Sequence, residues 1–192
     1  MAYLNEKEIK KIGFKSVGYN VKISDMARFY SPEKISIGNN VRIDDFCIVS
    51  GLVTLGNNVH LAVYSYITGC NSGVVMEDFS GIAYGVKVFT DSDDYTGRSL
   101  TNPTVPDEFK PKKISKPIRL EKHVIVGANS LVFPGVIVRI GTSIGANSMV
   151  TKSTKEWGVY SGVPAKFLKE RKKDLLELEY KYLESINNDP IK

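Results

Sequence analysis

Two kinds of residue in this chain are suited to chemistry, and they lie apart. Three carboxylates, Asp91, Asp93 and Asp94, crowd the stretch TDSDDYTG, while the only two histidines, His60 and His123, stand singly elsewhere. Carboxylates and imidazoles are the usual groups for moving protons at a reacting centre. Neighbouring carboxylates that point together also raise one pKa. Near the C-terminus Lys166, Lys169, Arg171, Lys172 and Lys173 form a cationic run. Such a run is most often a solvated face, but beside a rigid scaffold it equally suits phosphate. No histidine pair or carboxylate set has metal-ligand spacing, so no metal is expected. Cys47 and Cys70 form no metal motif either, and Cys47 reads as a small core residue.

The scaffold that must carry these groups is written in sixes. From Ile37 to Ser72 the hexads are IGNNVR, IDDFCI, VSGLVT, LGNNVH, LAVYSY and ITGCNS. Ile37, Ile43, Val49, Leu55, Leu61 and Ile67 lead them, and Val41, Cys47, Val53, Val59, Ser65 and Asn71 hold the fifth places. IGNNV at Ile37 returns as LGNNV at Leu55, so three hexads make one coil. A hexapeptide period is the mark of a parallel β-helix. A turn in every six residues leaves one aliphatic and one small residue of each hexad pointing inward, and stacks the coils at about 4.8 Å.

The same frame covers most of the chain. Val17, Ile23 and Phe29, with Val21 and Ala27, give a first coil, and a slip near Pro32 to Ser36 resets the frame. After Ser72 it blurs, with Val75, Phe79, Ile82, Val86 and Val88 available for a further coil. From Leu120 it resumes as LEKHVI, VGANSL, VFPGVI, VRIGTS, IGANSM and VTKSTK, where His123 takes an outward fourth place. Between these runs residues 90–117 carry four prolines and no hexad. A loop of that length, held at its root by rigid coils, is a natural carrier of function. At the N-terminus residues 4–12 read as a helix capped by Asn5 and Glu8 and ended by Gly13. Trp157 to Ala165 leaves the stack, and KFLKERKKDLLELEYKYLES reads as a helix to about Ser185 with Leu168, Leu175, Leu176 and Leu183 on its apolar side. The fold expected is therefore all-β: a parallel β-helix over residues 1–163 with its loop excursion, then a C-terminal α-helix and tail over 164–192.

Composition fits one soluble domain with an appendage: 192 residues, 42% hydrophobic and 24% charged. No apolar run is long enough to span a bilayer and no signal-peptide pattern follows Met1, so a cytoplasmic protein with no membrane partner is expected. The net charge of +5 suits polyanions. Nucleic acid is disfavoured, because no basic block interleaved with aromatics appears, and phosphorylated small molecules compete well.

The hexads, the loop between coils, VGANS and IGANS, then VTK and GVPAKFLKER resemble the left-handed β-helix acyltransferases that use coenzyme A. More narrowly, IGFKSVG, ISIGNNVRIDDFCI, SDDYTG, NPTVP and KHVIVGANS resemble the sugar-nucleotide N-acyltransferases that acylate dTDP-4-amino-4,6-dideoxyglucose for surface polysaccharides. The resemblance supplies the left hand of the helix and implies a homotrimer with active sites between subunits. It implies acetyl-CoA or another acyl-CoA as co-substrate, held near Ala128, Ala146, Thr151 and Lys152, with Lys166 and Lys169 meeting its phosphates. It implies a nucleotide-linked amino sugar as acceptor.

In the hydroxyl-acetylating relatives of galactoside and maltose type a loop histidine is the base, and here the matching place is Asp93. A free amine is already a nucleophile, so a carboxylate that anchors it and takes its proton suffices. Asp93 is thus the first catalytic candidate, with Asp94 in support. His123, matching the histidine of KHV, is the second. An O-acetyltransferase acting on a sugar hydroxyl is the alternative and would need His123 as base. A silent trimeric scaffold is a third reading.

Overall fold

The computed structural model describes residues 2–187. Its core is a three-sided solenoid of parallel strands. One face stacks Ser16–Val17, Ile35–Ile37, residues 53–55, residues 74–76, Ile118–Leu120 and Ile137–Val138. The second stacks Lys22–Ile23, Arg42–Ile43, His60–Leu61, Gly81–Ile82, Ile125–Val126, Ser143–Ile144 and Gly158–Ser161. The third stacks Arg28–Tyr30, residues 48–50, residues 66–68, Lys87–Phe89, Leu131–Val132 and Met149–Val150. Two strands, Ile48–Leu55 and Tyr66–Met76, run around the edge from the third face to the first face of the next coil.

The hexad rule holds because the prism is narrow. The inward set includes Val41, Ile43, Cys47, Val49, Val53, Leu55, Val59, Leu61 and Ile67, all 2% exposed or less. Small polar residues enter this column with their hydroxyls hydrogen-bonded, in three places to backbone carbonyls. Ser65 Oγ donates to Ala62 O at 2.6 Å, Ser80 Oγ to Glu77 O at 2.6 Å and Ser130 Oγ to Gly145 O at 2.9 Å. Cys47 is such a core residue: its thiol contacts the Ala62 carbonyl at 3.1 Å, and burial pushes its pKa up to about 11.

The frame breaks earlier than its hexads imply. Ile48 pairs with Tyr66, but Val53 pairs with Val74, so three extra residues are accommodated within 69–73. Asn71, expected inward, is exposed there, and Val74 and Met76 take the core places. Gly69 permits this detour, since a Cβ on it would lie 1.9 Å from the Leu52 carbonyl oxygen. Phe79, in the blurred stretch, occupies a corner and only Ser80, Ile82, Val86 and Val88 continue inward.

Helix α1, Glu6–Ile12, closes one end with the expected capping box of Asn5 and Glu8 and a left-handed Gly13. The other end departs from the sequence reading. Residues 166–173 are not helical: Lys166–Glu170 is a strand antiparallel to Gly158–Ser161, and helix α2 spans only Leu175–Asn187. The last rung of the solenoid would otherwise be an open edge, and the returning strand pairs its backbone. Phe167 packs edge-on to Tyr160 at 5.6 Å across this hairpin. Among the described residues no helix is long and apolar enough to cross a membrane.

Candidate functional site

The 90–117 loop leaves the third face after Lys87–Phe89 and returns at Ile118 on the first. Its neck is a two-stranded antiparallel pair, Asp91–Ser92 with Ile114–Ser115. Thr90 is buried and donates to the Thr68 carbonyl through both N–H (3.1 Å) and Oγ1 (3.2 Å). Asp91 ties the neck laterally, accepting from Ser115 Oγ at 2.7 Å and pairing with Lys113 Nζ at 3.1 Å. Burial alone would raise the Asp91 carboxyl, but these partners hold it below the usual carboxylate range.

The two carboxylates that follow are placed very differently. Asp94 is buried and wholly committed to the loop. Its Oδ1 accepts from Thr96 N and Thr96 Oγ1 at 3.0 and 2.6 Å, and its Oδ2 from Arg98 N at 2.8 Å. These bonds, that from the Thr96 hydroxyl foremost, keep its pKa low. Asp94 is therefore an organiser of the loop, and the idea that the pair raises one pKa does not apply to it. Asp93 is half-buried, and its Oδ2 accepts one hydrogen bond, from Asn102 N at 3.0 Å. Its Oδ1 carries no hydrogen bond from the described residues.

His123 is not the outward residue that its fourth place suggested. It is 6% exposed, lies in left-handed backbone (φ +63°) and sits under α2. Its Nε2 meets Glu179 Oε2 at 2.9 Å, and its ring stacks on Phe79 at 5.4 Å. Glu179 also pairs with Lys122 Nζ at 2.5 Å. Burial would raise the Glu179 carboxyl, and these two bonds lower it overall. Arg171 Nη1 donates to the His123 and Gly141 carbonyls at 2.8 and 2.9 Å, so this member of the cationic run fastens the chain end to the coils. Burial lowers its pKa. A cleft of about 520 Å³ beside α2 includes His60, Phe79, His123 and Tyr182 but neither Asp93 nor Ala128.

His60 carries a partner the sequence did not advertise. Its Nε2 lies 2.8 Å from Asp44 Oδ2, and Arg42 Nε donates to Asp44 Oδ1 at 2.7 Å. Asp44 is buried, which would raise its carboxyl, but Arg42 and His60 keep it below the ordinary range. Asp44 and Glu179 escaped the sequence reading, since His60 reaches Asp44 from the next coil and Glu179 meets Lys122 and His123 only when α2 packs on the solenoid. Arg171, read as part of a run suited to phosphate, is turned onto the His123 and Gly141 carbonyls.

Ala128 and Ala146 occupy equivalent places on the edge between the second and third faces, one coil apart. Asn147 N donates to Ala128 O at 2.8 Å, while the N–H groups of Ala128 and Ala146 have no partner among the described residues. The turn before the last strand lies beside them, with Gly162 N on Ser148 Oγ at 3.1 Å and Ala165 N on Met149 O at 2.8 Å. Lys166, paired with Ser161, is exposed at that turn, and Lys169 pairs with Val159 further along the strand. Thr151 and Lys152 are exposed at the far end of the third face, beyond Met149–Val150. Among the described residues no group of three or more His, Cys, Asp or Glu side chains could hold a metal ion.

A six-residue solenoid with an ordered loop thrown from one coil, and unused edge N–H groups leading to a lysine-bearing end, defines the class of β-helix acyltransferases. No family model matches the chain. Sequence comparison finds 46% identity over 182 residues, covering 93% of this chain and 94% of the relative, with dTDP-4-amino-4,6-dideoxy-D-glucose acyltransferase of Escherichia coli. AntD, an N-acyltransferase from Bacillus cereus solved with dTDP and 3-hydroxybutyryl-CoA, superimposes with a TM-score of 0.95 at 46% identity, covering 97% of this chain and 98% of that one. A maltose O-acetyltransferase from Clostridium difficile, at 18% identity and a TM-score of 0.54 over 87% of this chain and 75% of that one, shares the fold alone. The chain belongs to the dTDP-4-amino-4,6-dideoxyglucose N-acyltransferase family.

Proposed function

We propose that the protein transfers an acyl group from coenzyme A to the amino group of dTDP-4-amino-4,6-dideoxyglucose, in the cytoplasm, for surface polysaccharide such as lipopolysaccharide. The observation that carries the chemistry is the half-buried Asp93 carboxylate, tethered through Oδ2 and open at Oδ1, in a loop that has no histidine. The carboxylate binds the sugar ammonium and takes its proton. The freed amine attacks the thioester carbonyl and the C–N bond forms through a tetrahedral oxyanion; as the oxyanion collapses the C–S bond breaks, and the proton lost from the new ammonium centre goes to the departing thiolate, which leaves as the thiol. His123, capped by Glu179 beneath α2, is poorly placed to serve a sugar hydroxyl, which weighs against the O-acetyltransferase alternative.

The acyl donor is assigned to the edge of Ala128 and Ala146, with the pantetheine amides on their N–H groups and phosphates near Lys166 and Lys169, and Thr151 and Lys152 contributing across the cleft. Asp93 and Ala128 belong to different edges of one prism. A homotrimer, in which the loop of one subunit reaches the edge of the next, unites them, and a three-sided prism offers flat faces for such packing.

The test is to incubate the protein with acetyl-CoA and 3-hydroxybutyryl-CoA against dTDP-4-amino-4,6-dideoxyglucose, its 3-amino isomer and simple galactosides, following thiol release and product mass. Acylation of the 4-amino sugar is expected. Turnover confined to hydroxyl sugars refutes the reading.

A further inference from the structure

The Asp93 carboxylate is only as fixed as the N–H that holds it. That N–H belongs to Asn102, in a part of the loop that faces solvent. Exposed loop backbone with few buried contacts opens readily, so a tether placed there needs support of its own. Asn102 lies in left-handed backbone (φ +69°), and its side-chain oxygen accepts from Thr104 N at 3.0 Å and from the Thr104 hydroxyl. These local bonds set the shape of the turn. They do not attach it to the rest of the loop.

The attachment comes from a buried lysine. Lys110 Nζ donates to the Asn102 carbonyl at 3.1 Å. Among the described residues Lys110 is the only buried lysine, with its side chain 7% exposed. Lysine is almost never buried without a paired task, because its ammonium forfeits hydration. Its ion-pair partner Asp107, at 3.0 Å, is 90% exposed and offsets little of that cost. Stability therefore does not explain the burial, whereas the placement of Asn102 does. The backbone is prepared for the contact: Asn102 precedes Pro103 and Lys110 precedes Pro111, and a proline restricts the residue before it. Lys110 also closes the short 3-10 turn Asp107–Phe109, its N–H donating to Asp107 O at 2.9 Å. Alongside, Leu100 N donates to Phe109 O and Lys112 N to Ser99 Oγ, each at 3.0 Å, which folds the second half of the loop back on the first. Of these three crossings, that of Lys110 alone ends on Asn102.

We propose that Lys110 is a positioning residue for the acyl transfer: through Asn102 it fixes the Asp93 carboxylate where the sugar amine arrives. This rests on the function proposed above. The line runs from Lys110 Nζ through Asn102 to Asp93 Oδ2, which leaves Oδ1 for the ammonium. Displacing a reacting group by about 1 Å costs about 10²-fold in rate.

The test uses Lys110→Met, which keeps the apolar stem and deletes the donor, with Lys110→Gln, a shorter amide, as the second variant. Asn102 and Asp107 are exposed, so water takes the vacated acceptors and the melting temperature should move by no more than about 2–4 °C. With acyl-CoA and the 4-amino sugar, kcat/KM should fall about 10- to 100-fold while the KM for acyl-CoA stays put. The pH–rate profile should keep its wild-type form, because the Asp93 carboxylate is still present. In an Asp93→Asn background, Lys110→Met should cost less than about twofold more, since residues acting through one group are not additive. Full activity of both Lys110 variants beside an impaired Asp93→Asn overturns the inference alone. Losses that multiply in the double variant also overturn it, as does failure of both Lys110 variants to fold, since the lysine then serves the fold at large. A wild-type protein that acylates no amino sugar, or an Asp93→Asn enzyme with full activity, overturns the functional reading and this inference with it.

Discussion

Replacing Asp93 with Asn separates charge from position. The Asn side-chain oxygen can still accept the Asn102 N–H that Asp93 Oδ2 holds at 3.0 Å, so the loop keeps its tether. What disappears is the negative charge and the proton acceptor on the other oxygen. Positioned acid–base groups contribute about 10²- to 10⁴-fold, or about 3–5 kcal/mol at the transition state. Asp93→Asn should therefore lower kcat/KM for the amino sugar by that factor, measured by thiol release at saturating acyl-CoA, with the KM for acyl-CoA unchanged. Its residual rate should climb with pH as the free amine becomes more abundant. Asp94→Asn provides the contrast. One amide cannot accept from Thr96 and from Arg98 N–H on opposite oxygens, so the loop should loosen, with a higher acceptor KM and faster proteolysis between residues 94 and 98. Unchanged kcat/KM in Asp93→Asn, or proteolysis as fast as in Asp94→Asn, would refute the assignment.

Other consequences are open to measurement. Ser115→Ala removes the hydroxyl joining Asp91 and Ser72, each at 2.7 Å, and should lower kcat about tenfold through misplacement of the loop. Ser115→Thr should restore it. Lys166→Ala should raise the KM for acyl-CoA several-fold and leave that for the nucleotide sugar alone. Gly141 has φ +67°, and a Cβ on it would lie 2.4 Å from the Trp157 ring. Gly141→Ala should thus cost about 2–4 kcal/mol in urea unfolding. Glu179 has its pKa lowered below the ordinary 4.5, so its stabilisation is complete above that value and is lost as pH falls through the depressed folded value. Glu179→Gln should lose about 1–3 kcal/mol at pH 7 and show a shallower decline in melting temperature on acidification.

The repeat was legible in the chain because its cause is local. A prism that admits two inward side chains per six residues writes Val41, Ile43, Cys47 and Val49 directly into the text, and likewise Val124, Val126, Ser130 and Val132 after the loop. The loop was legible as the place where that constraint lapses, and the N-terminal helix by its capping box. Tertiary structure decided what depends on distant partners. Lysines and leucines after Pro164 satisfy helical spacing, yet an open sheet edge at Gly158–Ser161 draws Lys166–Glu170 into a strand. The outward place of His123 was read from its hexad, but α2, arriving more than fifty residues later, buries it against Glu179. Asp93 and Asp94 are adjacent and chemically alike. Only the fold of the loop, which surrounds one with N–H and O–H donors and leaves the other an unused oxygen, tells them apart.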